Sequence, residues 1–446
     1  MFVDREFERK TLQDMYDRLG AQFIFIYGRR RIGKTELIKN FMSGKKGVYF
    51  FAQDEDLRIE LDRLSESMSK QLGKFVRFND WDGFFSALAK EAGKRLVFSI
   101  DEFTYWIEQQ PGILSIFQRG WDEYLKDTKI FLICSGSLVS LIENSMKYGS
   151  PLYGRRTGQI RVSALSHNSL TDFFPSYSLE EIVQTYSVCG GIPFYLSTFD
   201  STISPEKNID TIVFNKAGIL YEEAEWLLSA EVREPLIYIN IIAAIESGAT
   251  TYSEIADRSK VSITNLGKYL KVLTEMGILK RESPAIGNAR PVYIVADNYV
   301  RFWSRFVFPN RENIEIGNFS LDDVRSQFNQ YVSETFELIA RESIPQLYRQ
   351  KLVPFSGKVG RYWKDEVEID VVCVAAERLM ALEVKWKNLD SDEANKLIDQ
   401  MKSILGTENA VYGVIARSIK DKEKVDGPAI ELHDLFPGTT SKHRKQ

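Results

Sequence analysis

The chain has 446 residues, a formal net charge of −4, 44% hydrophobic residues and 27% charged residues. This is the composition of an ordinary globular protein of two to four domains, and it excludes a global basic field for nucleic acid. No apolar stretch is long enough to cross a bilayer, so no membrane span is expected. Residues 1–10 are densely charged and lack the apolar core of a secretory signal, which predicts a cytoplasmic location.

Cysteine and histidine are few and scattered along the chain. This distribution argues against a disulfide framework and against a Cys/His zinc site, and it favours cysteines that are small core residues. The positions are Cys134, Cys189 and Cys373, with His167, His433 and His443.

The first predicted strand, residues 23–27, is followed by a glycine-rich loop and then by a helix-like run. The loop has the GxxxxGK[ST] pattern of a phosphate-binding loop, in which the glycines let the backbone wrap around polyphosphate, the lysine neutralises phosphate charge and the threonine hydroxyl reaches Mg²⁺. The alternative is a plain strand-to-helix turn. The residues predicted to bind nucleoside triphosphate are Gly28, Arg29, Arg30, Arg31, Ile32, Gly33, Lys34 and Thr35.

Further short apolar runs at residues 48–52, 96–100 and 129–134 alternate with amphipathic helical stretches. This alternation predicts a parallel α/β sheet with functional loops at the carboxyl ends of its strands. The run at residues 96–100 is followed directly by Asp101 and Glu102. After a phosphate-binding loop this pair predicts that Asp101 is a Mg²⁺ ligand and that Glu102 orients or deprotonates the attacking water. The alternative is a pair of solvated carboxylates.

The next strand ends in Ser135 and Ser137, which are placed to sense a γ-phosphate unless the segment is a simple turn. Together with two later motifs, residues 151–157 (PLYGRRT) and 189–193 (CGGIP), these features resemble the archaeal-type ATPases of the AAA+/STAND P-loop division over most of the chain. The resemblance implies ATP as the nucleotide and a helical lid that starts near residue 191. It also implies an arginine finger at Arg155 or Arg156, acting within one chain or between the subunits of a homo-oligomer, with an ion pair or a surface arginine as the alternative.

From about residue 233 the pattern changes to three helical segments at 237–245, 252–258 and 263–276, the last capped by Ser262. With possible strands at 278–281 and 291–295 they predict a winged helix-turn-helix. Residues 254–290 hold seven basic and four acidic side chains, a modest surplus for a DNA-binding surface. DNA is therefore a plausible partner, and the alternative is a module that packs domains together or relays the nucleotide state.

Residues 298–308 are rich in aromatic side chains. The spacing of Tyr299, Phe302, Trp303 and Phe306 is helical, which predicts a buried stripe, while a surface that stacks nucleic-acid bases is the alternative. Residues 309–324 are interpreted as a connector.

In the last domain, Glu366, Glu368 and Asp370 alternate with apolar residues, so a strand would place them on one face. A second alternating run carries Glu383 and Lys385, and an adjacent strand would bring these two side chains beside Asp370. The alternatives are a solvated hairpin face and a nuclease fold without activity.

These two runs resemble the PD-(D/E)xK nuclease-like domain at the C-terminus of the same ATPases. The resemblance implies that Asp370 and Glu383 hold Mg²⁺ or Mn²⁺, with Glu337 added from a helix at residues 331–342. It implies that Lys385 activates water or stabilises the phosphoryl transition state. Ile369 stands where the name-giving motif has proline.

The sequence thus predicts a multi-domain α/β protein with a parallel-sheet P-loop NTPase, a helical lid, a winged helix-turn-helix and a C-terminal α/β restriction-endonuclease-like domain. The predicted function is an ATP-hydrolysing switch or motor acting on DNA. A non-cleaving regulatory switch that binds a protein partner and a winged-helix transcription regulator are the alternatives. The predicted boundaries are 1–170 for the ATPase core, 171–230 for the lid, 231–308 for the winged helix, 309–324 for the connector and 325–440 for the nuclease-like domain.

Overall fold

The computed structural model describes residues 3–365, 367–407 and 409–438, so Glu366 and the basic tail at 441–446 lie outside the described residues. The chain divides into two compact units. The first holds the residues up to Ala164 together with Ile192–Phe194, and the second holds Leu165–Gly191 and the residues from Tyr195 onward. The domain boundaries within these units stay predictions.

The first unit is built on five parallel strands in the order β2-β3-β4-β1-β5. Three of the strands are buried over their whole length because helices cover both faces of a parallel sheet. The predicted parallel sheet is confirmed, whereas the short β5, with a single buried residue, was not predicted. The strands are β1 (Gln22–Tyr27), β2 (Gly47–Phe51), β3 (Leu96–Asp101), β4 (Ile130–Gly136) and β5 (Gly158–Arg161).

Helices of the first unit bury an aromatic-rich core that includes Phe84, Phe85, Trp106 and Phe117. A π-helix at Trp121–Leu125 follows the sixth of them. The helices are α1 (Glu6–Tyr16), α2 (Lys34–Met42), α3 (Leu57–Leu72), α4 (Trp81–Glu91), α5 (Thr104–Gln109), α6 (Ile113–Gly120) and α7 (Val139–Met146).

The second unit begins with helices, of which the longest at this end has a capping box formed by Ser178 and Glu181. The helix that starts at Pro193 has its first two residues in the first unit and the rest in the second. These helices are α8 (Leu170–Phe173), α9 (Leu179–Cys189), α10 (Pro193–Thr198), α11 (Pro205–Ile212) and α12 (Glu223–Ser229).

Three helices and an antiparallel hairpin follow: α13 (Pro235–Glu246), α14 (Tyr252–Ser259), α15 (Ile263–Glu275), β6 (Leu279–Glu282) and β7 (Val292–Val295). Thr251 and Glu254 form a capping box at the start of α14. The predicted side-chain cap of Ser262 is wrong, because its hydroxyl lies 3.2 Å from the Thr264 hydroxyl and makes no capping bond to a backbone N–H.

The aromatic stripe lies on α16 (Asn298–Phe302) and on the π-helix Trp303–Val307, and its four aromatic side chains are at most 2% exposed. The buried-stripe prediction is confirmed, and the base-stacking alternative is wrong. The predicted connector contains α17 (Arg311–Glu315) and the buried Leu321.

The C-terminal part of the chain forms a five-stranded mixed sheet in the order β12-β11-β10-β9-β8. β8, β9 and β10 pair antiparallel, and β10, β11 and β12 pair parallel. The two runs that carry the predicted acidic residues and lysine lie on the adjacent strands β9 and β10, as predicted. The elements are α18 (Arg325–Arg349), β8 (Lys358–Lys364), β9 (Val367–Ala375), β10 (Arg378–Asp390), α19 (Ser391–Leu405), β11 (Ala410–Lys420) and β12 (Ala429–Glu431).

All three cysteines are buried, as predicted. Among the described residues, no helix combines the length and the apolar character needed to span a membrane.

Candidate functional site

The glycine-rich loop joins the buried strand β1 to α2, which begins at Lys34. Its backbone turns through the left-handed region at Arg31 (φ 68°) and at Gly33 (φ 91°). A Cβ at Gly28 would lie 2.4 Å from the backbone oxygen of Val162, so only glycine fits there. The loop therefore has the tight curvature that a polyphosphate cradle requires.

Lys34 is 5% exposed, and its ammonium group lies within the loop. Nζ donates hydrogen bonds to the backbone oxygens of Gly28 (2.9 Å) and Arg29 (3.2 Å) and to Oγ of Ser137 (2.9 Å). The Glu102 carboxylate lies 3.7 Å from Nζ. The lysine thus lies inside the loop and contacts residues at the ends of two other strands, β3 and β4.

The carboxylate of Asp101 is fully buried at the end of β3 and accepts hydrogen bonds from three hydroxyl groups. Thr35 Oγ1 (2.6 Å) and the Tyr49 hydroxyl (2.7 Å) donate to Oδ2, and Ser135 donates to Oδ1. Burial, with Asp101 beside it, raises the pKa of Tyr49. The sequence predicted Asp101 and Thr35 as Mg²⁺ ligands but missed Tyr49, which lies on β2 and carries no motif.

Glu102 adopts a left-handed backbone conformation (φ 58°), which is costly for a residue with a side chain. Its carboxylate accepts hydrogen bonds from the Ser137 N–H at 3.1 Å and from the Ser137 hydroxyl. Its own N–H donates to Oγ of Ser135 at 3.3 Å. Both serines flagged in the sequence therefore contact the acidic pair, because β4 lies between β1 and β3.

The two candidate finger arginines make intramolecular contacts in the first unit. The Arg155 guanidinium donates to both oxygens of Asp122 (2.7–3.1 Å) and to the backbone oxygen of Pro151 (2.9 Å). Arg156 donates to the backbone oxygen of Met146 at 2.8 Å. The arginine-finger role of either residue stays a prediction.

The segment Ile192–Phe194 belongs to the first unit and lies beside the loop. A Cβ at Gly33 would be 3.6 Å from Pro193, and the Arg31 guanidinium lies 4.4 Å from the centre of the Phe194 ring. The start of the predicted lid is thus in contact with the phosphate-binding loop.

A second polar cluster lies on β9 and β10 in the second unit. Lys385 Nζ is 2.6 Å from a Glu383 oxygen and 3.9 Å from Oδ2 of Asp370. The Val384 N–H donates to the same Asp370 oxygen at 2.8 Å. The sheet register thus brings together the three residues that the sequence predicted to meet.

Glu337 on α18 completes this cluster. Burial, with the Asp370 carboxylate beside it, raises the pKa of Glu337 to about 8, and burial also raises the pKa of Asp370 and of Glu383. Arg341, one helical turn further, lies 3.9 Å from Glu337 and donates to the Asp370 backbone oxygen at 2.9 Å. Crowded, half-desolvated carboxylates of this kind supply the hard oxygen donors that Mg²⁺ and Mn²⁺ prefer.

Two family models match parts of the chain. Residues 2–199 match an ATPase domain found predominantly in Archaea. Residues 303–397 match a family described as archaeal and bacterial proteins of unknown function.

An uncharacterized protein of Methanocaldococcus jannaschii is 33% identical to the chain over 98% of the chain and 100% of its own length. The chain belongs to this archaeal-type P-loop ATPase family. Another M. jannaschii protein, named as an uncharacterized ATP-binding protein, is 48% identical to the ATPase over 46 residues, which are 10% of the chain and 78% of that protein.

Among solved structures, a Walker-type ATPase of Pyrococcus abyssi matches 68% of the ATPase and 96% of its own chain, with 20% identity and a TM-score of 0.53. This likeness concerns the fold. The chain is therefore an ATP-binding ATPase with a parallel-sheet P-loop domain at its N-terminal end and a separate α/β domain towards its C-terminal end.

Proposed function

We propose that this ATPase is a nucleotide-controlled switch or motor that acts on DNA through α13–α15 with the β6–β7 hairpin and cleaves a phosphodiester at the cluster of Glu337, Asp370, Glu383 and Lys385. The observation that carries the proposal is the convergence of three carboxylates and one lysine from a helix and two strands. The ATP part and the cleavage part are separable, because their residues belong to different units.

In the ATPase site, Lys34 and the loop N–H groups are proposed to hold the phosphates. Thr35 and Asp101 would hold Mg²⁺, which supplies charge neutralisation at the phosphates when bound. Glu102 would accept a proton from the attacking water at its carboxylate, and Ser137 would keep that carboxylate oriented through its N–H. An arginine finger, Arg155 or Arg156, would have to leave its present partner to act.

For DNA binding, the proposal uses α15 as the element that enters a groove. Thr264, Lys268 and Lys271 are exposed, and their spacing places them along one face of the helix, with Asn265 next to it. Lysine binds phosphate, and an asparagine amide matches an adenine edge. The module is a winged helix-turn-helix in this proposal, with the β6–β7 hairpin as its wing.

At the cleavage site, Glu337, Asp370 and Glu383 would hold Mg²⁺ or Mn²⁺, which supplies Lewis-acid activation when bound. Lys385 would stabilise negative charge that develops on the phosphoryl oxygens. Glu383 orients the lysine at 2.6 Å. The missing motif proline, replaced by Ile369, does not disturb the cluster, since that side chain is fully buried in the sheet.

The test is cleavage of plasmid and single-stranded DNA by the purified protein with ATP and either Mg²⁺ or Mn²⁺. Lys385→Ala should lower the cleavage rate by roughly a hundredfold or more, and Lys34→Ala should lower it by removing nucleotide control. Lys387→Ala, which removes an exposed lysine two residues further along β10, is the matched control and should leave the rate unchanged. Absence of cleavage by the wild type, with ATP turnover intact, would contradict the nuclease proposal.

A second candidate is a non-cleaving regulatory switch in which the hairpin relays nucleotide state to the C-terminal sheet. A specific contact favours it: in the second unit, the Ala285 N–H between β6 and β7 donates to the Arg361 backbone oxygen on β8 at 2.7 Å. Salt-insensitive or absent DNA binding, measured by anisotropy, would favour this candidate.

A further inference from the structure

A cavity of about 710 Å³ lies in the second unit between the β6–β7 loop and the end of β8. We propose that it binds an unpaired nucleotide of a single-stranded nucleic acid and feeds that strand to the neighbouring acidic cluster. This inference rests on the proposed action on nucleic acid and deepens it by naming the form of the substrate. The volume of the cavity lies within the range of ~300–1,000 Å³ that is typical of pockets for small organic ligands.

The lining of the cavity has the chemistry that recognises an exposed nucleotide. Tyr362 and Trp363 supply aromatic surface for a base, and Arg290 and Lys364 supply positive charge for phosphate. Asn288 adds an amide that can pair with a base edge. Two cations face a single carboxylate among the described lining residues, so the local charge favours an anion. The remaining lining residues are Thr250, Gly287, Ala289, Val292 and Asp365.

Trp363 is held in place by its neighbours. The Arg361 guanidinium lies 5.4 Å from the centre of the indole ring. The same guanidinium forms ion pairs with Glu282 on the hairpin (2.6 Å) and Glu368 on β9 (2.8 Å). A ring with a fixed orientation loses little conformational entropy when a base stacks on it, which favours binding.

The register of the sheet connects the cavity to the acidic cluster. Trp363 pairs directly with Glu368 across β8 and β9, and cross-strand partners share a face of the sheet. Asp370, two residues after Glu368, lies on that same face. Trp363 and Asp370 are thus diagonal neighbours beside the register shift between Gly360 and Tyr362, and diagonal neighbours in an antiparallel pair lie roughly 7–8 Å apart. A base on Trp363 would therefore bring its own phosphate towards Asp370.

Double-stranded nucleic acid does not offer this contact, because its bases are stacked and paired inside the helix. A base reaches an aromatic side chain in a cavity only when it is unstacked, as in a single strand, a loop or a flipped nucleotide. The proposal therefore predicts that the cavity binds unpaired nucleotides, whereas a duplex would bind at α15.

The experiment is fluorescence anisotropy of labelled oligodeoxythymidylate, labelled oligouridylate and a labelled duplex of the same length, each titrated with the full chain in EDTA so that no cleavage occurs. Both single strands should bind through the cavity, whereas the duplex, which would bind at α15, should keep its affinity when Trp363 is replaced. Trp363→Ala should weaken single-strand binding by about tenfold or more, because base stacking on an aromatic ring contributes that much. Trp363→Phe should restore most of the affinity, and Arg290→Ala should weaken binding with a smaller salt dependence.

Lys396→Ala, which removes an exposed cation of α19 that does not line the cavity, is the matched control and should leave affinity unchanged. Circular dichroism and ATP turnover identify any variant that fails to fold, and in that case Trp363→Phe and Arg290→Ala carry the test. No binding of single strands by the wild type, an equal loss of duplex and single-strand affinity in Trp363→Ala, or no effect of Trp363→Ala in a folded protein would overturn the inference.

Failure of the inference and failure of the proposed cleavage are distinguishable. Single-strand binding that depends on Trp363, without cleavage in Mg²⁺ or Mn²⁺, would leave the cavity assignment standing and remove the nuclease. Cleavage that depends on Lys385 but not on Trp363 would do the reverse.

Discussion

At the scale of single residues, Lys34 has the clearest role to test. Its ammonium meets the backbone oxygens of the loop, the hydroxyl of Ser137 and the carboxylate of Glu102, all of which converge where phosphates would bind. Lys34→Ala should lower ATP turnover by at least about a hundredfold, since in the proposed site it removes a positive charge beside the phosphates. A phosphate-release assay measures this. Lys10→Ala, an exposed lysine on α1, is the control, and undiminished turnover in Lys34→Ala would rule out this site.

Tyr49 is the residue at this site that no motif indicates. Its hydroxyl is one of three that donate to the buried Asp101 carboxylate, and removing a hydrogen bond to a charged group costs roughly 1.5–3 kcal/mol. Tyr49→Phe should therefore lower the thermal midpoint of the protein and raise the Mg²⁺ concentration needed for half-maximal ATP turnover. Tyr105→Phe, which removes a phenol hydroxyl from α5, is the control. A Tyr49→Phe protein with unchanged melting and unchanged Mg²⁺ dependence would show that Thr35 and Ser135 alone hold Asp101.

At the scale of elements, two short 3₁₀ helices of the second unit, His167–Ser169 and Leu432–Leu435, are joined by a buried bond. His167 Nε2 lies 3.1 Å from the Leu435 backbone oxygen. Burial lowers the pKa of His167 to about 4, although this bond acts in the opposite direction. The imidazole is thus neutral in the folded protein at neutral pH.

A pH dependence of stability follows from the burial of His167. In the unfolded chain His167 binds a proton with its ordinary pKa of about 6.5, whereas in the folded chain it binds one only near pH 4. The contribution of His167 to the free energy of unfolding is therefore constant above pH ~6.5. The free energy of unfolding falls by roughly 3 kcal/mol as the pH decreases towards 4. Thermal melting of wild type and His167→Gln across this range isolates the effect, which the variant should lack. An equal loss of stability at low pH in His167→Gln would show that another group causes it.

At the scale of the whole molecule, the two units carry the two proposed chemistries, and the second unit joins a helical module to a mixed sheet. The joint includes the ion pair between Arg361 on β8 and Glu282 on the hairpin, with side chains only 21% and 10% exposed. Glu368 also pairs with Arg361.

Arg361→Gln should lower the free energy of unfolding of the second unit by about 3 kcal/mol, because the buried Glu282 carboxylate would keep only the exposed Lys280, at 3.8 Å, as a counter-charge. Urea denaturation followed by tryptophan fluorescence is the measurement. Lys387→Gln breaks an exposed pair with Glu393 and should change stability by less than about 1 kcal/mol. Equal effects of the two substitutions would show that the joint does not depend on this ion pair.

The sequence by itself determined the parallel sheet, the phosphate-binding loop and the adjacency of β9 and β10, because these follow from local patterns of apolar residues, glycines and alternating charges. It also determined that the aromatic stripe is buried, since the spacing matches a helix with one apolar face. Ser262 shows the limit of such local patterns, because its residue type favours a cap and its side chain turned to Thr264 instead.

Only the tertiary structure decided which distant side chains meet. Tyr49 reaches Asp101 because β2 and β3 are neighbours in the sheet, and Arg155 pairs with Asp122 because the chain folds back on a π-helix. The cavity at Trp363 forms from segments about seventy residues apart, at positions 287–292 and 362–365. Such contacts depend on the order of strands in the sheet and on the packing of loops. Both are determined by the packing of the whole core, so no local stretch of sequence indicates them.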